Sequence, residues 1–216
     1  MHIPDGFVTA PVAAAGWALS AGSLGYAVRR TSRELKEKQV PLMGVLAAFI
    51  FAGQMLNFPV MGGTSGHLIG AALATIMVGP WAAMLIMTSV VVIQAVLFQD
   101  GGLLALGVNI FNMAVLAAVT GHLVYSVLGF LARNGGWGRW ASAFLAGWTS
   151  VVVTSVAASI ELALSGTSPL LVALPAMGFV HIFIGLGEGL ITAAVVAVVE
   201  NARRDLLELR TIGGKA

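Results

Sequence analysis

Long apolar runs, broken at short intervals by glycine, proline or charge, set the plan of this chain. The first runs from about Phe7 to Val28. It ends in Arg29-Arg30-Thr31-Ser32-Arg33-Glu34-Leu35-Lys36-Glu37-Lys38, the one strongly charged loop. The second covers about Val40 to Leu56. The stretch Asn57-Phe58-Pro59-Val60-Met61-Gly62-Gly63-Thr64-Ser65-Gly66-His67 then interrupts it with a proline and a glycine cluster, which break helices. A third run opens near Leu68 and stops at Gly79-Pro80, and a fourth continues from Trp81 to Phe98. One helix from Leu68 to Phe98 would be about 46 Å long at 1.5 Å per residue. That exceeds a hydrocarbon core of about 30 Å, so Gly79-Pro80 reads as a tight turn. After the turn Gln99-Asp100-Gly101-Gly102, a fifth run spans Leu103 to Leu131. The sixth runs from about Trp140 to Leu164 and the seventh from about Pro175 to Val199. The pattern predicts an all-α polytopic membrane protein of seven transmembrane helices, with residues 1–216 forming a single domain.

Composition agrees. The 216 residues are 58% apolar and 9% charged, against about 25% charged in soluble domains. Seven spans of about 20 residues leave no room for a soluble catalytic domain. Cysteine is absent, which excludes disulfides, thiolate metal sites and iron–sulfur clusters. No paired-carboxylate or nucleophile–base spacing marks an enzyme. No Gly-x-x-x-x-Gly-Lys-[Ser/Thr] loop is present, so any ATP hydrolysis belongs to another chain. The bilayer is the partner the composition demands, and nothing points to nucleic acid. Alternating spans put the segments after spans one, three, five and seven on one face, and these hold all 11 Lys and Arg residues. The positive-inside rule then places the N-terminus outside and the C-terminus in the cytoplasm. Fusing spans three and four would put Arg133 and Arg139 outside.

The candidate chemistry lies at the start. With the apolar run beginning at Phe7, the α-amine of Met1 is expected close to the membrane, beside His2. An amine, the following amide if it ionises, and the imidazole of residue 2 offer three nitrogens in fused chelate rings, an arrangement suited to a tetragonal cation such as Cu(II) or Ni(II). His67, after a glycine-rich run on the same face, supplies a neutral imidazole for a divalent ion. An N-terminal segment dipping back into the bundle would bring Met1, His2 and His67 together. Taken singly, His2 also reads as an unstructured second residue, and His67 as a loop-capping histidine.

Three segments carry a family resemblance: Met1-His2-Ile3-Pro4-Asp5-Gly6-Phe7, Gly62-Gly63-Thr64-Ser65-Gly66-His67-Leu68 and Gly185-Leu186-Gly187-Glu188-Gly189-Leu190-Ile191-Thr192. The chain resembles the substrate-capture (S) components of energy-coupling-factor transporters for nickel and cobalt, the NikM/CbiM family, from end to end. The resemblance implies a helical bundle with an extra N-terminal helix in a prokaryotic cell membrane. It implies a metal held by the Met1 amine, the amide and ring nitrogens of His2, and the ring of His67. The transported ion, Ni(II) or Co(II), is then the ligand, with no prosthetic group. Implied partners are a membrane coupling subunit, cytoplasmic ATPase subunits and a small accessory membrane subunit.

Other polar groups have plainer readings. Asn109, Thr64 and His181 are candidates to support the ligands from behind, and Asn112 to join helices. His122 reads as an interhelical hydrogen bond and Asp5 as a cap for span one. The nine methionines are scattered and read as core filling. A rival function is a self-sufficient secondary transporter or channel for a divalent cation, using His181 and Glu188, which lie on one face of span seven.

Overall fold

The apolar runs fold as helices in a computed structural model that describes residues 1–35, 37, 39–60, 64–131, 136–203 and 206–207. Helix α1 (Ala10–Glu34) starts with Pro11 in its first turn, where the missing N–H has no intrahelical partner to lose. Helix α2 (Gln39–Gln54) leads to a short antiparallel hairpin, β1 (Phe58–Val60) with β2 (Thr64–Gly66), in which Pro59 faces Ser65. Then follow α3 (Ala71–Val78), α4 (Pro80–Leu97), α5 (Leu106–Leu131), α6 (Gly136–Leu164) and α7 (Leu170–Ala202). Helices α4, α5, α7 and the Trp137–Leu164 part of α6 are long and apolar enough to cross a membrane. Helix α5 contains one π-helical stretch, Phe111–Leu116.

Among the described residues seven helices stand where the sequence predicts seven spans, but their lengths differ from the expectation. Helix α3 has eight residues, about 12 Å, and is buried throughout. It is bounded by Gly70 and Gly79, both at φ +82°, a left-handed conformation that suits glycine. The Gly79-Pro80 turn is therefore present, but the preceding helix is too short to cross a bilayer alone. Helix α6 begins at Gly136 and absorbs much of the predicted basic turn; Arg133, Asn134 and Gly135 lie outside the described residues. Helix α7 begins at Leu170 and contains Pro175 in its second turn. The carbonyl deprived of its N–H partner there is that of Leu171, which is 89% exposed at the helix start.

The two ends of the bundle differ. Arg29, Arg30 and Arg33 close α1, Arg139 opens α6 and Arg203 follows α7. Arg139 reaches Glu200 at 2.5 Å, tying the start of α6 to the end of α7. Lys36, Lys38, Arg204, Arg210 and Lys215 lie outside the described residues. The opposite end holds the N-terminal segment, the hairpin and the turn at Gln99–Gly102.

Helices α6 and α7 pair through small residues. A Cβ added at Gly189 would lie 2.7 Å from the Phe144 carbonyl, and one at Gly185 would lie 3.0 Å from the Trp148 ring. These two glycines, four apart, let the backbones approach. Ser142 and Thr154 on α6 are buried but bond back to carbonyls of their own helix, at 2.7 and 2.6 Å, so they need no partner across the interface.

Candidate metal centre

The first six residues run into the bundle at the end opposite the arginines, and Met1, His2 and Ile3 are buried. Asn109, in the first turn of α5, accepts the Ile3 N–H at 2.8 Å and donates to the Ile3 carbonyl at 3.0 Å. The Gly102 N–H reaches the same carbonyl at 2.9 Å. The Asp5 carboxylate accepts the N–H groups of Leu103, Leu104 and Ala105 at 3.0, 2.8 and 3.1 Å. These are the free donors ahead of α5, so Asp5 caps that helix. This corrects the reading of Asp5 as a cap for the first span: α1 is preceded by Thr9 and has no side-chain cap. Gly101, at φ +98°, closes the wall; a Cβ there would stand 3.3 Å from the His2 side chain.

The seat places nitrogen donors side by side. The His2 and His67 rings stack with centroids 4.6 Å apart and planes 27° from parallel. Ser65, on β2, gathers the main-chain nitrogens. Its Oγ accepts the Met1 amine at 2.9 Å and the His2 amide at 3.1 Å, and its carbonyl accepts the amine as well. His2 Nε2 donates to Oε1 of Gln94, from α4, at 3.1 Å. Its Nδ1, the nitrogen that shares chelate rings with the amide and amine, then carries the lone pair, and it has no hydrogen-bond partner. His67 Nδ1 donates to the Leu68 carbonyl at 2.6 Å, so its lone pair lies on Nε2, also buried and unpartnered. A second group fixing the proton on the far ring nitrogen is what orients an imidazole for a metal.

Electrostatics keep these donors free. Burial, opposed in part by the Asp100 charge, holds the Met1 amine well below its ordinary 8.0. Burial, then the neighbouring amine, pushes His2 down to about 3 against the pull of Gln94. Burial also holds His67 well below 6.5, helped by the amine and His2. Asp100 is raised by burial, opposed by the amine and by Asn57. Among the described residues no group of three or more His, Asp or Glu side chains could hold a metal ion.

The other candidates are placed as follows. Asn109 bonds the backbone of Ile3. Thr64 Oγ1 donates to Met177 Sδ at 2.7 Å and ties β2 to α7. His181 is buried and donates from Nδ1 to the Met177 carbonyl at 2.7 Å, with its ring near the main chain of Ser65. Asn112 donates to Glu161 at 2.5 Å, joining α5 to α6. Glu188 accepts the N–H groups of Ile69 and Gly70, and Gln54 donates to the Ile69 carbonyl at 2.6 Å. The backbone after His67 is thus held from α2 and α7. Sequence reading missed Gln94, Ser65 and Asp100. A lone glutamine in an apolar run was the available signal for Gln94.

Among the described residues, four helices long and apolar enough to span a bilayer, beside a cluster of buried nitrogen donors, mark a multi-pass protein of the cell membrane. The chain belongs to the CbiM family: residues 2–206 match the model of the cobalt uptake substrate-specific transmembrane region. It is 42% identical over its whole length to 70% of an Archaeoglobus fulgidus protein whose provisional name is fused nickel transport protein NikMN. It is 33% identical, over 97% of its length, to 65% of the fused nickel transport protein NikMN of Rhodobacter capsulatus; that relative is longer, and the chain spans about two thirds of it. Among solved structures, the crystal structure of a truncated transition metal transporter superposes with a TM-score of 0.87 and 36% identity, covering 94% of this chain and 99% of that one.

Proposed function

We propose that the protein is the substrate-capture subunit of an ATP-driven nickel or cobalt importer, and that it binds Ni(II) or Co(II) through the Met1 amine, the amide and Nδ1 of His2, and Nε2 of His67. The observation that carries this is the pairing of two buried, unpartnered ring nitrogens with the amine and amide gathered on Ser65. Four nitrogens of this kind suit a tetragonal ion. The ion takes the place of the proton on the His2 amide, and the neutral amine turns its lone pair from Ser65 to the ion. The family and the nickel transport relatives support the choice of cargo.

The seven helices cross the membrane in turn, with α3 completing its crossing through the inward-folded segment before it. The arginine-rich end faces the cytoplasm by the positive-inside rule, so the N-terminal seat opens outward. The chain carries no phosphate-binding loop, so ATP is hydrolysed by cytoplasmic partner subunits. They act through a membrane coupling subunit, with a small accessory membrane subunit completing the complex.

The test is calorimetric titration of Ni(II) and Co(II) into the purified protein, beside His2→Ala, His67→Ala and a protein with one glycine placed before Met1. Each change is expected to lower affinity by about 100-fold or more, the scale of losing a metal ligand or its support. Undiminished binding by the extended protein would overturn the site, because a peptide nitrogen is no substitute for the amine.

A further inference from the structure

We propose that Asp100 is the carboxylate through which a divalent transition-metal ion reaches the His2 imidazole, and the counter-charge that neutralises the site once loaded. The proposal rests on the assignment of Met1, His2 and His67 as ligands.

Asp100 Oδ1 lies 3.3 Å from His2 Nδ1. Because His2 Nε2 donates to Gln94, Nδ1 presents a lone pair, and two acceptors face each other. Such a contact becomes favourable when a cation stands beside both. The carboxylate is aimed there by its neighbours. Asn57 donates to Oδ2 at 2.8 Å, and the Asp100 N–H bonds the Gln94 carbonyl at 3.0 Å. Gln99 adopts φ +56° and Gly101 φ +98°, so the turn places Asp100 against the N-terminal segment through two left-handed residues. Its side chain is 18% exposed against 1% for His2, and the exposed Asn57 lies beyond it. Asp100 therefore stands between solvent and the buried nitrogens.

Charge gives it a second part. A divalent ion bound to two neutral imidazoles, a neutral amine and one ionised amide leaves one positive charge in a buried site. A buried charge is strongly unfavourable unless it is paired. Asp100 supplies one negative charge in contact with His2. Two other carboxylates are already engaged, the buried Glu188 by Ile69 and Gly70 and the half-buried Glu161 by Asn112.

Asp100→Asn and Asp100→Glu proteins with the native N-terminus are mixed with NiCl2 in stopped-flow and equilibrium titrations, following the ligand-field absorption of Ni(II). Asp100→Asn is expected to keep the four-nitrogen band at saturation, to associate about tenfold more slowly, and to lose most of the salt dependence of its on-rate. Its Kd is expected to rise about tenfold, and Asp100→Glu is expected to recover most of both. Association within about twofold of the parent with unchanged salt dependence would overturn the proposal; so would loss of the band in Asp100→Asn. Should Asp100→Asn fail to fold, Asp100→Glu carries the test: a salt-insensitive on-rate in that protein overturns the steering role. Failure of the underlying ligand assignment shows separately, as a His67→Ala protein that keeps the parent's band and affinity.

Discussion

Glu188 accepts the N–H of Gly70 at 2.6 Å, the tightest tie between α7 and the backbone that carries His67. Its other oxygen takes the N–H of Ile69 at 2.9 Å. Glu188→Gln keeps one acceptor and sets an NH2 group against a buried N–H. An unsatisfied buried donor costs about 1–3 kcal/mol. Thermal unfolding in detergent is expected at a lower temperature, and Ni(II) affinity is expected to fall about tenfold, as for a group that orients a metal ligand. A Glu188→Gln protein that unfolds and titrates like its parent would show that the His67 backbone holds itself.

Gln94 sets which nitrogen of His2 is free. Gln94→Leu removes the acceptor for Nε2–H, and the proton can then sit on Nδ1 and bond Asp100. Metal affinity is expected to fall about 10- to 100-fold. Nitrogen NMR of labelled His2 in the metal-free protein reads the tautomer directly. An unchanged Nε2–H tautomer in Gln94→Leu would remove the basis of this prediction.

Proton release reports the buried donors. Burial holds the amine well below 8.0 and His67 well below 6.5, and pushes His2 to about 3. The lowered amine has less proton to shed to an arriving metal than an exposed one. Titration in buffers of different ionisation enthalpy is expected to release fewer protons per Ni(II) than a free hexapeptide of the same sequence, whose amine is not lowered by burial. The sign for stability follows. An unseated segment, with His2 near its ordinary 6.5, takes up protons before the seated one does. The seat therefore weakens as pH falls below about 6.5 toward 3.

At Gly189 the backbone of α7 lies directly against α6. Gly189→Ala would set a Cβ 2.7 Å from the Phe144 carbonyl, which belongs to backbone and cannot swing away. Overpacking of this kind costs about 1–3 kcal/mol. The thermal midpoint is expected to drop, while Gly129→Ala, with open space around it, serves as the neutral control.

The helices were legible because hydropathy and Gly-Pro breaks are local, and the turn at Gly79-Pro80 is where the pattern put it. The short α3 was less legible, since an apolar run does not reveal that part of it lies in a hairpin and a folded-in segment. Met1, His2 and His67 drew notice through residue type and neighbouring glycines. What surrounds them was hidden by distance along the chain: His2 meets Gln94, Ile3 meets Asn109, and Ile69 meets Glu188. A lone Gln or Glu in an apolar span has no periodicity to betray its partner. Asp5 misled for the same reason, because its three donors lie about 100 positions away rather than in the helix it precedes.

The N-terminal segment is fastened to late parts of the chain. Beyond Asn109 and Gly102, the Phe7 carbonyl accepts from Thr167 at 2.6 Å, and the Thr9 N–H reaches Ser165 at 3.2 Å. These last partners lie in the turn between α6 and α7. During synthesis this segment is made well before the groups that fasten it. It is fixed in place only once the final hairpin, α6 with α7, is complete.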